Sequence, residues 1–470
     1  MSALRSENPF TKAFWFGSID PRPLALFRIT FGLTLLHDLF NFTRDFRAFL
    51  TDDGFLPRIA LRDDWTTWGL FDFVGSPVAV ALVYALGVAA VIAFTVGVRT
   101  RTATVATWVF LISLHHRNYF VTDGGDDLAR IMIFWGMFCD LGARWSVDSW
   151  RSKTVITDVP SFGPRLMQLH IAILYLCAGR LKLRQHWLTN DVIFETLQLD
   201  GFVRPPGTLL MSFPAVCRLL GRSVCLMELA FPFVAFSPVR RIQTRALAIL
   251  FGFLVQFGIL VTMRVGIFTE LMLASNVLWL QPEWLDRAEK WLGQKREAAA
   301  FLARGTIGAP SGGRLVLTIA LALQFIVAVW DPFLGSRLRL PQVVFHERDF
   351  LSIVQPVGLF DVIYDVPHWT APGVLTDGTP VDVLSLVAPE ARPREPAYIF
   401  SRWYKFSCKA REHAYRFPEL GSYLCRAHDE RYPGPKLASF TLTIEAIHPS
   451  LPGEPPKEPF PVQTWHQECR

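Results

Sequence analysis

Residues 174–187 read LYLCAGRLKLRQHW, so Arg180, Lys182 and Arg184 close an apolar run that begins near Leu166. Read as a helix, residues three or four apart share a face. Tyr175, Ala178/Gly179, Lys182 and His186 then form one stripe, and Arg180 and Arg184 point elsewhere. A lysine that faces a bundle interior loses hydration, and a dehydrated amine is suited to act as a neutral base. A lysine at a helix end also snorkels to lipid headgroups. Both readings make the run a membrane helix.

Composition supports a membrane protein. Hydrophobic residues are 51% of the 470 and charged residues 19%, against about a quarter charged in soluble domains. The net charge of +6 fits basic loops beside anionic lipid. No basic run interleaves with aromatics, so a nucleic-acid partner is not expected. The N-terminus MSALRSENPFTKAFWFGSID lacks the pattern of a cleavable signal peptide. The seven cysteines show no CxxC spacing, and no metal site is expected.

Apolar runs recur at 23–40, 77–96, 103–114, 128–142, 166–179, 223–236 and 315–335. A longer one over 246–280 is interrupted near Arg264–Gly266 and reads as two. The expected architecture is an all-α polytopic membrane bundle of about nine transmembrane helices over 1–335. With the N-terminus cytoplasmic, Arg99, Arg101, Arg144, Arg151, Lys153, Arg165, Arg240, Arg241 and Arg245 fall in inside loops, and TDGGDD (122–127) falls outside. The basic end of 166–187 is the exception, because it lies outside. An odd helix count places the C-terminal region outside the cell membrane.

From 336 prolines become dense, and VVFHER, VDVLSLV and SFTLTIEAIH read as strands. Asp377-Gly378 between short apolar stretches reads as a hairpin turn. Residues 336–450 are read as a β-containing extracytoplasmic domain and 451–470 as a proline-rich extended tail. Cys408 and Cys425 are the candidate disulfide in that domain, which leaves Cys469 odd.

Other polar residues fall in or beside the spans. His115, His116 and Arg117 end the third. Adjacent helical residues point about 100° apart, so the two histidines do not readily share a metal, and interface anchoring is the plain reading. Asp126, Asp127 and Arg130 begin the fourth, as caps and an ion pair or as the wall of an external cavity. His37 and Asp38 are cavity-lining candidates in the first. Glu228 and Glu270 are intramembrane carboxylates, with Arg264 or Lys182 as candidate partners.

The order of several motifs resembles the vitamin K-dependent gamma-glutamyl carboxylases and their bacterial relatives, the HTTM-domain proteins. YLCAGRLKLRQHW, with Lys182 and then Trp187, resembles their base-lysine region. LALFRITFGLTLLHDL, TDDGFLP, HHRNYFVTDGGDDLARIMIFW with RWSVD, GIFTELMLAS, FDVIYDVPHW…LTDGTPVDVLS and RWYKF follow in the family's order. The resemblance implies a reduced quinone of the vitamin K hydroquinone type, O2 and CO2, with Lys182 as the base and an extracytoplasmic peptide or protein as substrate. Two family histidines that serve the carbanion side are replaced, by Gly125 and Gln256 in an ungapped alignment. Two functions stay open: a hydroquinone-dependent, carboxylase-like enzyme, or a non-catalytic membrane protein of the same fold holding a quinone, a lipid or a partner protein. Matching Gly/Pro-broken halves, the mark of a transporter, are not seen.

Overall fold

A computed structural model describes residues 8–61, 68–199, 201–291, 301–303, 312–328, 366–389 and 402–469. The N-terminal part is built from helices α1 (Arg22–Phe42), α2 (Pro77–Val96), α3 (Thr100–Arg117), α4 (Gly124–Gly136), α5 (Phe162–Arg184), α6 (Pro205–Met211), α7 (Pro214–Ala235), α8 (Arg241–Thr262), α9 (Phe268–Asn276) and α10 (Gly312–Ala328).

Among the described residues four helices are long and apolar enough to cross a membrane, the first running through Arg22–Leu50, the others being α2, α5 and α8. A fifth results if α6 and α7, bent by 110° at Ser212–Phe213, are one span. The expected nine are not shown among the described residues. A crossing needs about 20 residues, and α4 has 13 and α9 has 9. Helix α3 reaches 18 residues but carries Thr and Arg at its start and His and Arg at its end.

The helices approach through small residues, as in membrane bundles. A Cβ on Gly87 of α2 would stand 2.1 Å from the Phe110 ring of α3. Gly258 of α8 has nothing within 4 Å. Gly87→Val should therefore lower stability by about 1–3 kcal/mol through overpacking. Gly258→Ala should raise it by about 0.5–1 kcal/mol, because glycine is the more costly residue in a helix interior. Thermal unfolding of both variants in one detergent checks the opposite signs.

The C-terminal part contains β1 (Val366–Thr370), β2 (Pro372–Leu375), β3 (Pro380–Asp382), α11 (Arg402–Ala410), α12 (Phe417–Arg431), β4 (Leu437–Ile447) and β5 (Phe460–Glu468). The central strand β4 pairs antiparallel with β1, β2 and β5. Strands β2 and β3 form the hairpin at Asp377-Gly378, where Gly378 takes φ +88° and Asp377 Oδ1 accepts from Thr379 N. The stretch VDVLSLV is only partly strand. After Asp382 it becomes a helical turn, Val383–Val387, with Asp382 Oδ2 accepting from the Ser385 hydroxyl. VVFHER lies outside the described residues.

Two readings of the C-terminus are corrected. The segment 451–470 is not a separate tail, because FPVQTWHQE completes the sheet as β5. Cys425 bonds to Cys469 rather than Cys408. Register explains the pairing: β5 runs beside β4, and Cys469 N donates to Ala438 O at its end. Mass spectrometry of the non-reduced protein should find a peptide linking Cys425 to Cys469.

A buried lysine–glutamate pair as the candidate functional site

Helices α5 and α7 pack at close range because Gly179 has no side chain. A Cβ there would meet Leu229 N at 2.9 Å and Glu228 Cβ at 3.1 Å. On α7 the buried positions Cys217, Gly221, Cys225, Glu228, Phe231 and Ala235 recur every three to four residues, so Glu228 faces inward. On α5 the buried stripe includes Tyr175, Gly179 and Lys182, as the sequence indicated. Lys182 Nζ lies 2.9 Å from Glu228 Oε2 and 3.0 Å from Oε1. The two residues are 5% and 4% exposed, so Lys182 is interior and does not snorkel.

His186 leaves the stripe. Helix α5 ends at Arg184, and His186 takes φ +60° and is exposed. His186 N donates to Leu183 O and Trp187 N to Lys182 O, the paired bonds that close a helix through a left-handed residue. This reversal brings the Trp187 ring to 5.1 Å from Lys182 Nζ, within cation–π range. The lysine-to-tryptophan spacing is thus a helix-closing device that buries the ammonium under an indole.

Tyr175 sits below, its hydroxyl accepting from Gln256 Nε2 of α8 at 3.2 Å and its ring 4.2 Å from that of Phe231. Three buried polar atoms of this site and its surroundings, Trp187 Nε1, Gln256 Oε1 and Glu228 Oε2, have no hydrogen-bond partner, although Glu228 Oε2 keeps its ion-pair contact with Lys182. Such atoms are costly inside a protein. Trp187 Nε1 is a donor, and Gln256 Oε1 and Glu228 Oε2 are acceptors. Gly125 offers no room for a side chain, since a Cβ would stand 2.7 Å from Phe268 N.

A family model, the HTTM domain, matches residues 16–284, more than half of the chain. The chain belongs to the HTTM family. No curated protein and no solved structure matches it. The HTTM match contains Lys182, Glu228, Tyr175 and Gln256 and ends before the C-terminal sheet.

The other expected residues of this HTTM protein divide among three places. His37 Nδ1 lies 3.1 Å from Glu270 Oε2 at an exposed position, so Glu270 pairs with neither Arg264 nor Lys182. Arg264 Nη2 donates to Gly201 O. Arg117 turns away to donate to Leu56 O and Thr51 O, and His116 Nδ1 is 2.9 Å from Trp68 O. Asp38, His115, Asp126, Asp127 and Arg130 come together around Arg402 of α11. The buried His115 there is a core member, not an interface anchor. Among the described residues no three His, Cys, Asp or Glu side chains are placed to hold a metal.

Sequence reasoning missed Arg402. Its Nη2 donates to Asp38 Oδ1 at 2.7 Å and its Nη1 to Asp126 Oδ2 at 2.8 Å and Val121 O at 2.7 Å. Burial works against this guanidinium, but the carboxylates of Asp126 and Asp38 outweigh it and hold its pKa above the ordinary value. Lys409 on the same helix donates to Tyr119 O at 3.0 Å. Burial first, then the charge of Lys405, pushes the Lys409 ammonium down to about 8, from 10.5. Between these two values the unfolded chain binds more proton at Lys409 than the folded one, so this group's contribution to stability rises with pH across the window. The unfolding temperature of wild type relative to Lys409→Met should therefore climb from pH 8 to 10.5 and stay flat between pH 6 and 7.5.

Proposed function

We propose that this membrane protein binds a reduced quinone and uses Lys182 as a base in a hydroquinone- and O2-dependent modification of an extracytoplasmic substrate. The observation that carries the reading is the buried Lys182–Glu228 pair, with an unmatched donor on the Trp187 ring over the amine and an unmatched acceptor at Gln256 Oε1, further along the stripe at Tyr175. A bound reduced quinone, with O2, would supply the strong base that activates a carbon acid of the substrate.

The chain's own residues have definite parts. Lys182 receives a proton only as a neutral amine. Glu228, with both oxygens at hydrogen-bond distance, is the group that can take the ammonium proton within the pair. Trp187 covers the amine from the helix end and keeps water away. Trp187 Nε1 and Gln256 Oε1 are the unmatched groups suited to orient a quinol oxygen, and Gln256 also fixes the Tyr175 hydroxyl.

The orientation proposed has the N-terminus in the cytoplasm and the C-terminal region outside. Arg402 and Lys409 meet backbone at Val121 and Tyr119. These residues adjoin the acidic stretch 122–127, which the charge pattern puts outside. An external peptide or protein substrate, with membrane lipid around the bundle, belongs to the same proposal.

A second reading has its own observation. Gly125 and Gln256 stand where the carboxylases carry histidines, and the packing at Gly125 excludes a side chain. This favours a binding protein that holds a quinone without carboxylating anything, and it makes CO2 capture the least supported part of the chemistry. Purified protein in nanodiscs, given vitamin K hydroquinone and oxygen, separates the two. Epoxide formation that falls at least about 100-fold in Lys182→Ala, the lower end of the range for a general base, supports the enzyme. Quinone binding without any epoxide supports the holder.

A further inference from the structure

The outer end of the bundle holds a second buried polar group, independent of Lys182. Asp38 of α1 and Asp126 of α4 are both buried, and the single guanidinium of Arg402 serves both. His115 of α3 supplies no second positive charge. Its Nδ1 lies 2.7 Å from Arg130 Nη1, and a guanidinium only donates. Nδ1 therefore accepts, the imidazole is neutral, and its hydrogen sits on Nε2, 3.2 Å from Asp126 Oδ1.

The remaining charges do not restore the balance. Arg130 is taken by Asp127 as an ion pair of their own. Asp123 adds a further negative charge that bears on both Asp38 and Asp126. Lys405 acts on Asp123, and Lys409 acts on Asp127, Asp123 and Asp126 from a distance only, because its Nζ is held by Tyr119 O and Thr122 Oγ1 and contacts no carboxylate. Tyr84, which faces Asp38 from α2, donates its hydroxyl to Leu39 O. Two buried carboxylates thus share one contacting cation, and like charges so placed do not both stay ionised.

We propose that Asp38 is a reversible proton-binding site at the outer mouth of the bundle, set by Arg402 and Asp126. The proton falls to Asp38 because its neighbour is the better-solvated anion. Asp126 accepts the backbone N–H of Asp123 at 2.7 Å, two bonds from Arg402, and the approach of His115. Asp38 accepts from Arg402 alone.

Infrared difference spectra of the full chain in nanodiscs, recorded across a pH titration, test this. The expected result is a protonated-carboxyl C=O band that grows as pH falls, shifts in D2O and vanishes in Asp38→Asn. Asparagine still accepts from Arg402 and removes the surplus charge, so that variant should fold. If it does not, Asp38→Glu replaces it, and the band should then move in frequency instead of vanishing. A wild-type protein with no titrating carboxyl band overturns the proposal. So does a band left unchanged by either substitution.

Discussion

Arg402→Ala should destabilise the protein by about 3–5 kcal/mol, the usual penalty for removing one partner from a buried ion pair. Three acceptors lose their donor together: Asp38, Asp126 and the Val121 carbonyl. Arg402 also stacks over Phe42 of α1 at 4.1 Å, and the neighbouring Trp403 packs on Phe49 at 4.7 Å and donates to Asp45. Helix α11 is therefore keyed into the bundle by an arginine and a tryptophan in adjacent positions. Lysine should not rescue, since it lacks the planar fork that reaches two carboxylates. Adding Asp38→Asn to Arg402→Ala should recover part of the loss, because one of the orphaned charges is gone. Thermal unfolding in nanodiscs and protease sensitivity of α11 give the readout. A change below about 0.5 kcal/mol would mean that the contact contributes little.

The second large effect is at Glu228. Glu228→Ala leaves the Lys182 ammonium buried among apolar helices, and the expected loss is again about 3–5 kcal/mol. The revealing comparison is Lys182→Met with Glu228→Leu. Replacing a buried pair by apolar residues of similar volume is often neutral, or stabilising by about 1–4 kcal/mol. The double variant should therefore be at least as stable as wild type while each charge alone is harmful. If Glu228→Ala unfolds no earlier than wild type, the pair is not as tightly enclosed as its 5% and 4% exposures indicate.

The stripe from Tyr175 to Lys182 was legible because helical spacing is regular, and Lys182 is buried where that spacing put it. His186 was not. It continues the same spacing on paper, but a left-handed residue ends the helix before it. Such an ending at a histidine, not a glycine, leaves little local signal. Glu228 was legible as an intramembrane carboxylate, and its partner was narrowed to Lys182 or Arg264 without a choice between them. The choice depends on Gly179, whose missing side chain lets α7 approach α5.

Arg402 was marked only as part of the family-like motif RWYKF, not as a site residue. It lies in the C-terminal region, 364 residues from Asp38. Nothing in periodicity or composition connects positions so far apart. The count of nine crossings is not shown, for another reason. Apolar runs mark buried helices as well as membrane-crossing ones, and α4 and α9 are short, well-buried elements. The hairpin at Asp377-Gly378 was legible because a glycine with positive φ is its requirement. The disulfide was not, since an odd cysteine count leaves several pairings equal until the strand order is known.

The measurement that bears most directly on the central claim is quinol turnover by the Lys182→Met/Glu228→Leu double variant. This variant separates chemistry from folding, because it is expected to be stable without the pair. In nanodiscs with vitamin K hydroquinone and oxygen, the account predicts epoxide from wild type and none above background from the folded double variant. Epoxide formed at the wild-type rate by that variant would contradict the assignment of Lys182 as the base.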